Sequence, residues 1–339
     1  MLATRAFRSL LLAAVVAQAP AGSLERRSPP LGLDLYMPVP EDNPLTPEKI
    51  ALGQRLFSDR MLSRDGTRAC ANCHDPQRAF TDGRPVAVGV RGQTGARSAP
   101  TLVNRGYGRS HFWDGRAPTL EAQVVEPITN PKELDLTIDE AVGRLARTRE
   151  YGDRFEAAFG RAVNAQDLAR ALASYVRSIV SGNSPLDRYM NGDRGALSEQ
   201  ERAGLAIFRG KGNCTACHVG PTLSDEQFHN TGVAWRDPSA GSGQAAAFND
   251  LGRFVVTGND ADRGAFKTPT LREIARTAPY MHDGTFSTLE EVVNFYDRGG
   301  NKNPVLDGEL RPLGLSHEEK QALLAFLRSL SGDIHEGPD

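Results

Sequence analysis

The apolar positions of this chain recur mostly at helical spacing. Between Glu140 and Ile179, the residues Ala141, Leu145, Phe155, Phe159, Leu168, Leu172 and Val176 return on one helical face, with Gly160 as a break. They read as core positions and not as a cofactor box. Leu52, Leu56 and Phe57 keep the same spacing behind Thr46-Pro47-Glu48, which looks like a helix start with a Thr N-cap and Pro in the first turn. Leu205, Ile207 and Phe208 repeat this arrangement behind Leu197-Ser198-Glu199-Gln200. A last helix is predicted from Ser316 to Leu330, opened by the capping box Ser316-His317-Glu318-Glu319 and closed by Gly332. Nothing reads as an array of extended strands, so the predicted class is all-α. The Pro-rich stretch from Ser28 to Pro47 is expected to be an extended arm, and the Gly-, Ser- and Ala-rich stretch from Arg236 to Gly252 a mobile insertion.

The pattern also repeats. Ala99-Pro100-Thr101-Leu102 is echoed by Thr268-Pro269-Thr270-Leu271, Trp113-Asp114-Gly115 by His282-Asp283-Gly284, and Thr119-Leu120-Glu121 by Thr288-Leu289-Glu290. All three pairs share one offset, since 270 − 101, 282 − 113 and 288 − 119 each give 169. The chain therefore reads as two copies of one unit, joined near Asn191 to Ala196 where Gly and Asp cluster.

Each copy carries a C-x-x-C-H motif just beyond its first amphipathic helix. These are Cys70-Ala71-Asn72-Cys73-His74 and Cys214-Thr215-Ala216-Cys217-His218, and together they use all four cysteines. The motif is the attachment signature of a c-type haem. Each pair of thiols can form thioethers to the haem vinyl groups, and the histidine that follows can ligate the iron. A four-cysteine zinc site does not need the two histidines, a thioredoxin-like motif would not be doubled, and two disulfides would not explain the repeated histidine. Two covalently bound haem c groups are the expected cofactors.

Composition narrows the setting. The 339 residues are 39% hydrophobic and 24% charged with a formal charge of −2, which gives no basic field for nucleic acid. The first 23 residues read as a signal peptide, with Arg5 and Arg8 ahead of the apolar run Leu10 to Ala19 and cleavage expected at Ala17-Gln18-Ala19 or Ala21-Gly22-Ser23. That run is too short to span a bilayer, and no second candidate follows, so no membrane span is expected after cleavage. A periplasmic location agrees with covalent haem attachment, which in bacteria takes place outside the cytoplasmic membrane.

Taken together, both C-x-x-C-H sites, Arg97-x-x-Pro100-Thr101-Leu102, Phe112-Trp113-Asp114-Gly115-Arg116-Ala117, Asn130-Pro131-x-Glu133 and Pro279-Tyr280-Met281-His282-Asp283-Gly284 resemble the bacterial dihaem cytochrome c peroxidase and MauG family. The likeness runs from about Leu45 to Gly332. It implies two cytochrome-c-like helical domains, one haem in each: a peroxidatic domain over 45–190 and an electron-transfer domain over 195–332. By the same resemblance, His74 and His218 are the proximal iron ligands and Trp113 relays charge between the haems. Gln123, Pro127 and Glu133 line the peroxide pocket, where a carboxylate suits the proton transfer that O–O cleavage needs. Ser98, Thr277 and Pro279 match a calcium site between the domains, although the family usually has Asn at the first of these.

Two departures point within the family. The peroxidases that need prior half reduction carry a haem-capping histidine after a Val-Gly pair. Here Val88-Gly89 is followed by Val90, so the first haem is expected to be open from the outset. The methionine that usually caps the second haem is replaced by Tyr296, within Val292-Val293-Asn294-Phe295-Tyr296, with Met281 and His282 as the alternative ligands. A phenolate favours ferric iron where a thioether favours ferrous. Both departures match the MauG-like and MbnH-like branch. The resemblance therefore implies an enzyme that uses hydrogen peroxide to oxidise a side chain, a tryptophan, on a periplasmic partner protein. The rival functions are an ordinary peroxidase fed by a small cytochrome, and a non-catalytic dihaem electron carrier.

Overall fold

A computed structural model describes residues 29–237 and 245–338. The expected signal peptide over residues 1–23 and the middle of the Gly-rich stretch lie outside the described residues. Helix α1 (Pro47–Phe57) starts as its sequence dictates, with the Thr46 hydroxyl accepting from the Lys49 N–H at 3.3 Å. Two short helices follow, α2 (Leu120–Gln123) and α3 (Glu126–Thr129), and then α4 (Ile138–Ala146), α5 (Arg149–Phe159) and α6 (Ala165–Ser178). Gly160, with φ +67°, ends α5, as expected of the break. The second half holds α7 (Pro185–Met190), α8 (Glu199–Arg209), α9 (Phe254–Thr257), α10 (Leu289–Asp297) and α11 (His317–Arg328). Ser198 and Ser316 close capping boxes with Glu201 and Glu319.

Two hydrophobic clusters result. The first gathers Leu52, Leu56, Phe57, Phe155, Leu168, Leu172 and Val176 with Tyr175, and the second gathers Leu205, Phe208, Val293, Leu323, Leu324, Phe326 and Leu327. Each large side chain so buried contributes about 1.5–3 kcal/mol. At the centre of each cluster two helices cross at a glycine. A Cβ on Gly53 of α1 would lie 2.0 Å from the Ala171 carbonyl oxygen of α6, and one on Gly204 of α8 would lie 2.0 Å from that of Ala322 in α11. Both pairs are related by one offset, as 204 − 53 and 322 − 171 each give 151. The repeat seen at offset 169 also takes the same form in both halves, as the bridges His111↔Ala117 and Tyr280↔Phe286.

Strands are few, though not absent as the all-α expectation had it. β1 (Val180–Gly182) pairs antiparallel with β6 (Asp333–His335), β2 (Phe228–His229) with β5 (Phe266–Lys267), and β3 (Trp235–Arg236) with β4 (Ala247–Phe248). The flanks of the insertion are thus paired, with Trp235 packed edge-on against Phe248 at 4.8 Å. Helix α11 stops at Arg328 with Ser329 as its C-cap, earlier than Gly332. Gly332 instead serves the β1–β6 approach, since a Cβ there would sit 2.0 Å from the Gly182 carbonyl oxygen. Beyond it, Ile334 packs on the first cluster.

Candidate functional site

A cavity of about 910 Å³ is lined by residues of both halves and reaches both C-x-x-C-H motifs. In each motif the cysteines begin a single tight turn. Cys70–Asn72 is held by the Asn72 side chain accepting from the Ala69 N–H at 2.8 Å, and Cys214–Ala216 follows Asn213 at φ +50°. The four cysteines form no disulfide. Burial pushes the thiols up, to about 12 for Cys70 and Cys214 and about 11 for Cys73. The histidines are oriented alike. His74 donates from Nδ1 to the Phe80 carbonyl at 3.0 Å and His218 from Nδ1 to the Leu223 carbonyl at 2.9 Å. Each Nε2 is left as a lone-pair donor, and both residues line the cavity. A backbone carbonyl on one ring nitrogen and a free lone pair on the other is how metal-binding histidines are held. The residues present therefore fit two haem groups.

On the His74 side, α2 and α3 bring Gln123 and Pro127 to the cavity wall, and the turn beyond them brings Glu133. The same three residues also line a small side cavity of about 60 Å³ beside Cys73 and His74. Asn130 donates to the Glu133 carboxylate at 2.7 Å, yet burial dominates and raises its pKa above the ordinary value. Val90 is fully buried behind this residue, its N–H donating to the Glu133 carbonyl at 2.8 Å.

Trp113 stands where the two halves meet. Its indole N–H donates to the Ser98 carbonyl at 3.0 Å, and its own carbonyl accepts from the Lys267 N–H at 2.8 Å. Ser98 in turn donates from N to the His282 carbonyl at 2.7 Å and from Oγ to the Met281 carbonyl at 3.1 Å. Trp113 and His282, equivalent in the repeat, are thus joined through one residue. The structure brings Ser98, Thr277 and Pro279 to the same cavity. The Ser98 and Thr277 hydroxyls already donate to the Met281 and Ile274 carbonyls, which leaves only their lone pairs for a cation.

On the His218 side, α10 carries Tyr296 into the cavity. Burial pushes its phenol up, and the Cys217 and Cys214 thiols beside it add to this. His282 and Met281, the alternative ligands, line the same cavity. The His282 ring stacks on Phe266 at 3.7 Å and 13°, and burial, partly opposed by Asp283 and Asp250, pushes it down to about 4. Its Nε2 is buried without a hydrogen-bond partner.

Sequence reading missed the charged groups around this cavity. Arg97 donates to Asp250 at 2.7 and 2.8 Å and to Asp114 at 2.7 Å. Arg105 grips Glu226 at 2.7 and 3.0 Å, with Lys267 3.6 Å away. Burial pushes Lys267 down to about 7 and, with Arg105 and Lys267 adding to it, His111 to about 3. His229 lies between Asp307 at 2.6 Å and Asp225 at 3.0 Å. Its neighbour Cys217 and these two carboxylates raise it to about 10 against the opposing effect of burial. Cys217, Asp225 and His229 are the one group of metal-ligand type among the described residues, and Cys217 ties it to the second motif. Arg97 and Asp114 stand in motifs of the sequence, but nothing along the chain marks them, or the other groups, as partners.

The profile of the family described as di-haem cytochrome c peroxidase matches residues 47–195. The methylamine utilization protein MauG of Methylorubrum extorquens is 41% identical over 301 residues, covering 88% of this chain and 82% of that protein. The cytochrome c551 peroxidase of Nitrosomonas europaea is 35% identical over 87% of this chain and 84% of its own length. Among solved structures, a MauG-like protein associated with microbial copper homeostasis superposes with a TM-score of 0.80 at 33% identity, covering 93% of this chain and 96% of that one.

Proposed function

Because this chain belongs to the di-haem cytochrome c peroxidase family, and is a peroxidase-type oxidoreductase, we propose that it uses hydrogen peroxide to oxidise a tryptophan side chain on a periplasmic partner protein. The observation that carries the peroxide step is the meeting of Glu133 and the free Nε2 of His74 on one cavity. Each haem, when bound, supplies an iron that exchanges electrons with peroxide or with a partner. We take the first cluster, with Cys70, Cys73 and His74, as the peroxidatic domain and the second, with Cys214, Cys217, His218 and Tyr296, as the electron-transfer domain. Calcium would sit at the Ser98, Thr277 and Pro279 wall.

The chain's own groups divide the work. Glu133, kept protonatable by burial, takes the proton from one peroxide oxygen and returns it to the leaving one, as general acid–base chemistry requires. Gln123 and Pro127 narrow the space beside it. Peroxide takes up two electrons and two protons to give two waters, and the partner side chain supplies both electrons. Trp113, bonded to both halves, is placed to carry charge between them. Val90 and Tyr296 support protein oxidation over a cytochrome-fed peroxidase. Val90 is buried and has no atom that could cap an iron, and the Tyr296 phenol lies on the cavity wall beside the second pair of thiols.

Two measurements test this reading. Mass spectrometry of the denatured protein should find two haem additions; one or none sinks the assignment of the motifs. The fully oxidised protein mixed with peroxide should change its spectrum without prior reduction and then oxidise a Trp-bearing secreted partner. A protein inert until half reduced, and turned over only by a small cytochrome, is an ordinary peroxidase.

A further inference from the structure

The first cluster contains an aromatic column that the proposed reaction does not use. The His74 and Phe57 rings lie 6.4 Å apart, and Phe57 packs edge-on against Tyr175 at 5.0 Å. Tyr175 is 2% exposed, yet its hydroxyl donates to the carboxylate of Glu336 in the exposed C-terminal tail. Burial, and then the Glu336 carboxylate, hold the phenol far above its usual range, so at rest it keeps its proton.

The second half supplies the comparison. Phe208 and Phe326 stand in the same places, as 208 − 57 and 326 − 175 each give 151, with their rings 5.1 Å apart. A Cβ on Gly204 would meet the Phe326 Cβ at 2.6 Å, as one on Gly53 would meet the Tyr175 Cβ at 2.8 Å. The helix crossing therefore needs a ring at this position and no hydroxyl. At this crossing, the half that carries Glu133 has a hydroxyl with a carboxylate to take its proton, and the other half has a phenylalanine. A buried Tyr hydroxyl needs some partner, but packing alone is met by the phenylalanine of the other half.

We infer that Tyr175 is a proton-coupled relay through which oxidising equivalents at the His74 centre reach the C-terminal tail when no partner protein is bound. This rests on the peroxide reading above. Tyr175 gives one electron across Phe57 to the peroxide-oxidised centre, and its phenolic proton passes to Glu336. The phenoxyl then takes one electron from a diffusible phenol or ascorbate at the tail and regains the proton from Glu336, while the donor releases its own proton to solvent. Two such cycles consume the two equivalents of one peroxide.

The test uses the dihaem holoprotein, without partner, mixed with peroxide and freeze-quenched for electron paramagnetic resonance, with and without ring-deuterated tyrosine. The wild type should give a radical signal that deuteration narrows. Tyr175→Phe should lose at least nine-tenths of it, keep the wild type's thermal midpoint to within a few degrees, and let the peroxide-oxidised spectrum persist several-fold longer in the presence of ascorbate. Glu336→Gln, which keeps a hydrogen-bond acceptor but not the base, should form the radical several-fold more slowly. An undiminished signal in Tyr175→Phe, or equal rates in all three proteins, overturns the relay while the peroxide reading stands. A wild type that shows no spectral change with peroxide overturns both.

Discussion

Glu133 is a half-buried carboxyl on the cavity wall with one side-chain hydrogen bond, and the burial holds its proton more tightly than in solution. Replacing it by Gln preserves shape and removes the proton shuttle, and the reaction with peroxide should slow by about 10²–10⁴-fold in stopped-flow. Because its folded pKa lies above the ordinary 4.5, the deprotonated form that accepts the first proton is lost as pH falls through that raised value. The acid limb of the rate profile should therefore lie above pH 4.5 and vanish in Glu133→Gln. Tyr296 answers a different question. Tyr296→Met exchanges a hard oxygen donor for a thioether and should raise the potential of the second haem in spectroelectrochemistry. Partner oxidation should weaken while the first haem's reaction with peroxide survives. If the potential does not move, Tyr296 is not the ligand. Both residues were singled out from the sequence, Glu133 by its motif and Tyr296 by its place in the family pattern, and both line the cavity. Tyr175 was not, since a tyrosine inside an amphipathic helix looks like any other core aromatic until its partner 161 residues away is seen.

The helices were the most legible elements, for a local reason. Thr46, Ser198 and Ser316 are caps whose partners lie three residues on, and a capping box is written wholly in neighbouring residues. The three ladders were illegible because their strands are two or three residues long, too short for alternation to register. The two glycine crossings were also missed. They follow an offset of 151 where the visible repeat follows 169 and the motifs 144 (218 − 74), because the connections between elements differ in length in the two halves. They make a sharp prediction. Gly53→Ala and Gly204→Ala each place a methyl carbon 2.0 Å from a backbone carbonyl oxygen, so the paired helices must part. Overpacking of this kind costs about 1–3 kcal/mol. Denaturant unfolding of the two variants should show similar losses; a neutral Gly204→Ala would mean that the second crossing is not a copy of the first.

Charged pairs join the two halves. Arg97 reaches Asp250 across 153 positions of sequence and Arg105 reaches Glu226 across 121, and no pattern along a chain announces such pairs. Burial alone would raise the Glu226 carboxyl, but Arg105 and Lys267 outweigh it and hold it at about 2, below the ordinary 4.5. A depressed folded pKa lends stability that is present above about pH 4.5 and is lost as pH falls towards 2. Glu226→Gln should therefore be less stable than the wild type at neutral pH, and the difference should shrink across that acid window in thermal scans. A difference that stays constant to pH 2 would remove Glu226 from the junction's stability. The β1–β6 ladder binds the molecule in another way. Its two strands follow α6, the last helix of the first half, and α11, the last helix of the second. Synthesis runs from the N-terminus, so the first half can gather its helices early yet lacks its pairing strand until the second half has been made. A ribosome stalled within the second half leaves β1 an open edge, able to pair with whatever strand comes near. The ladder thus ties the half that was made first to the completion of the second, since β1 is sealed only by a strand that lies beyond the whole second cluster.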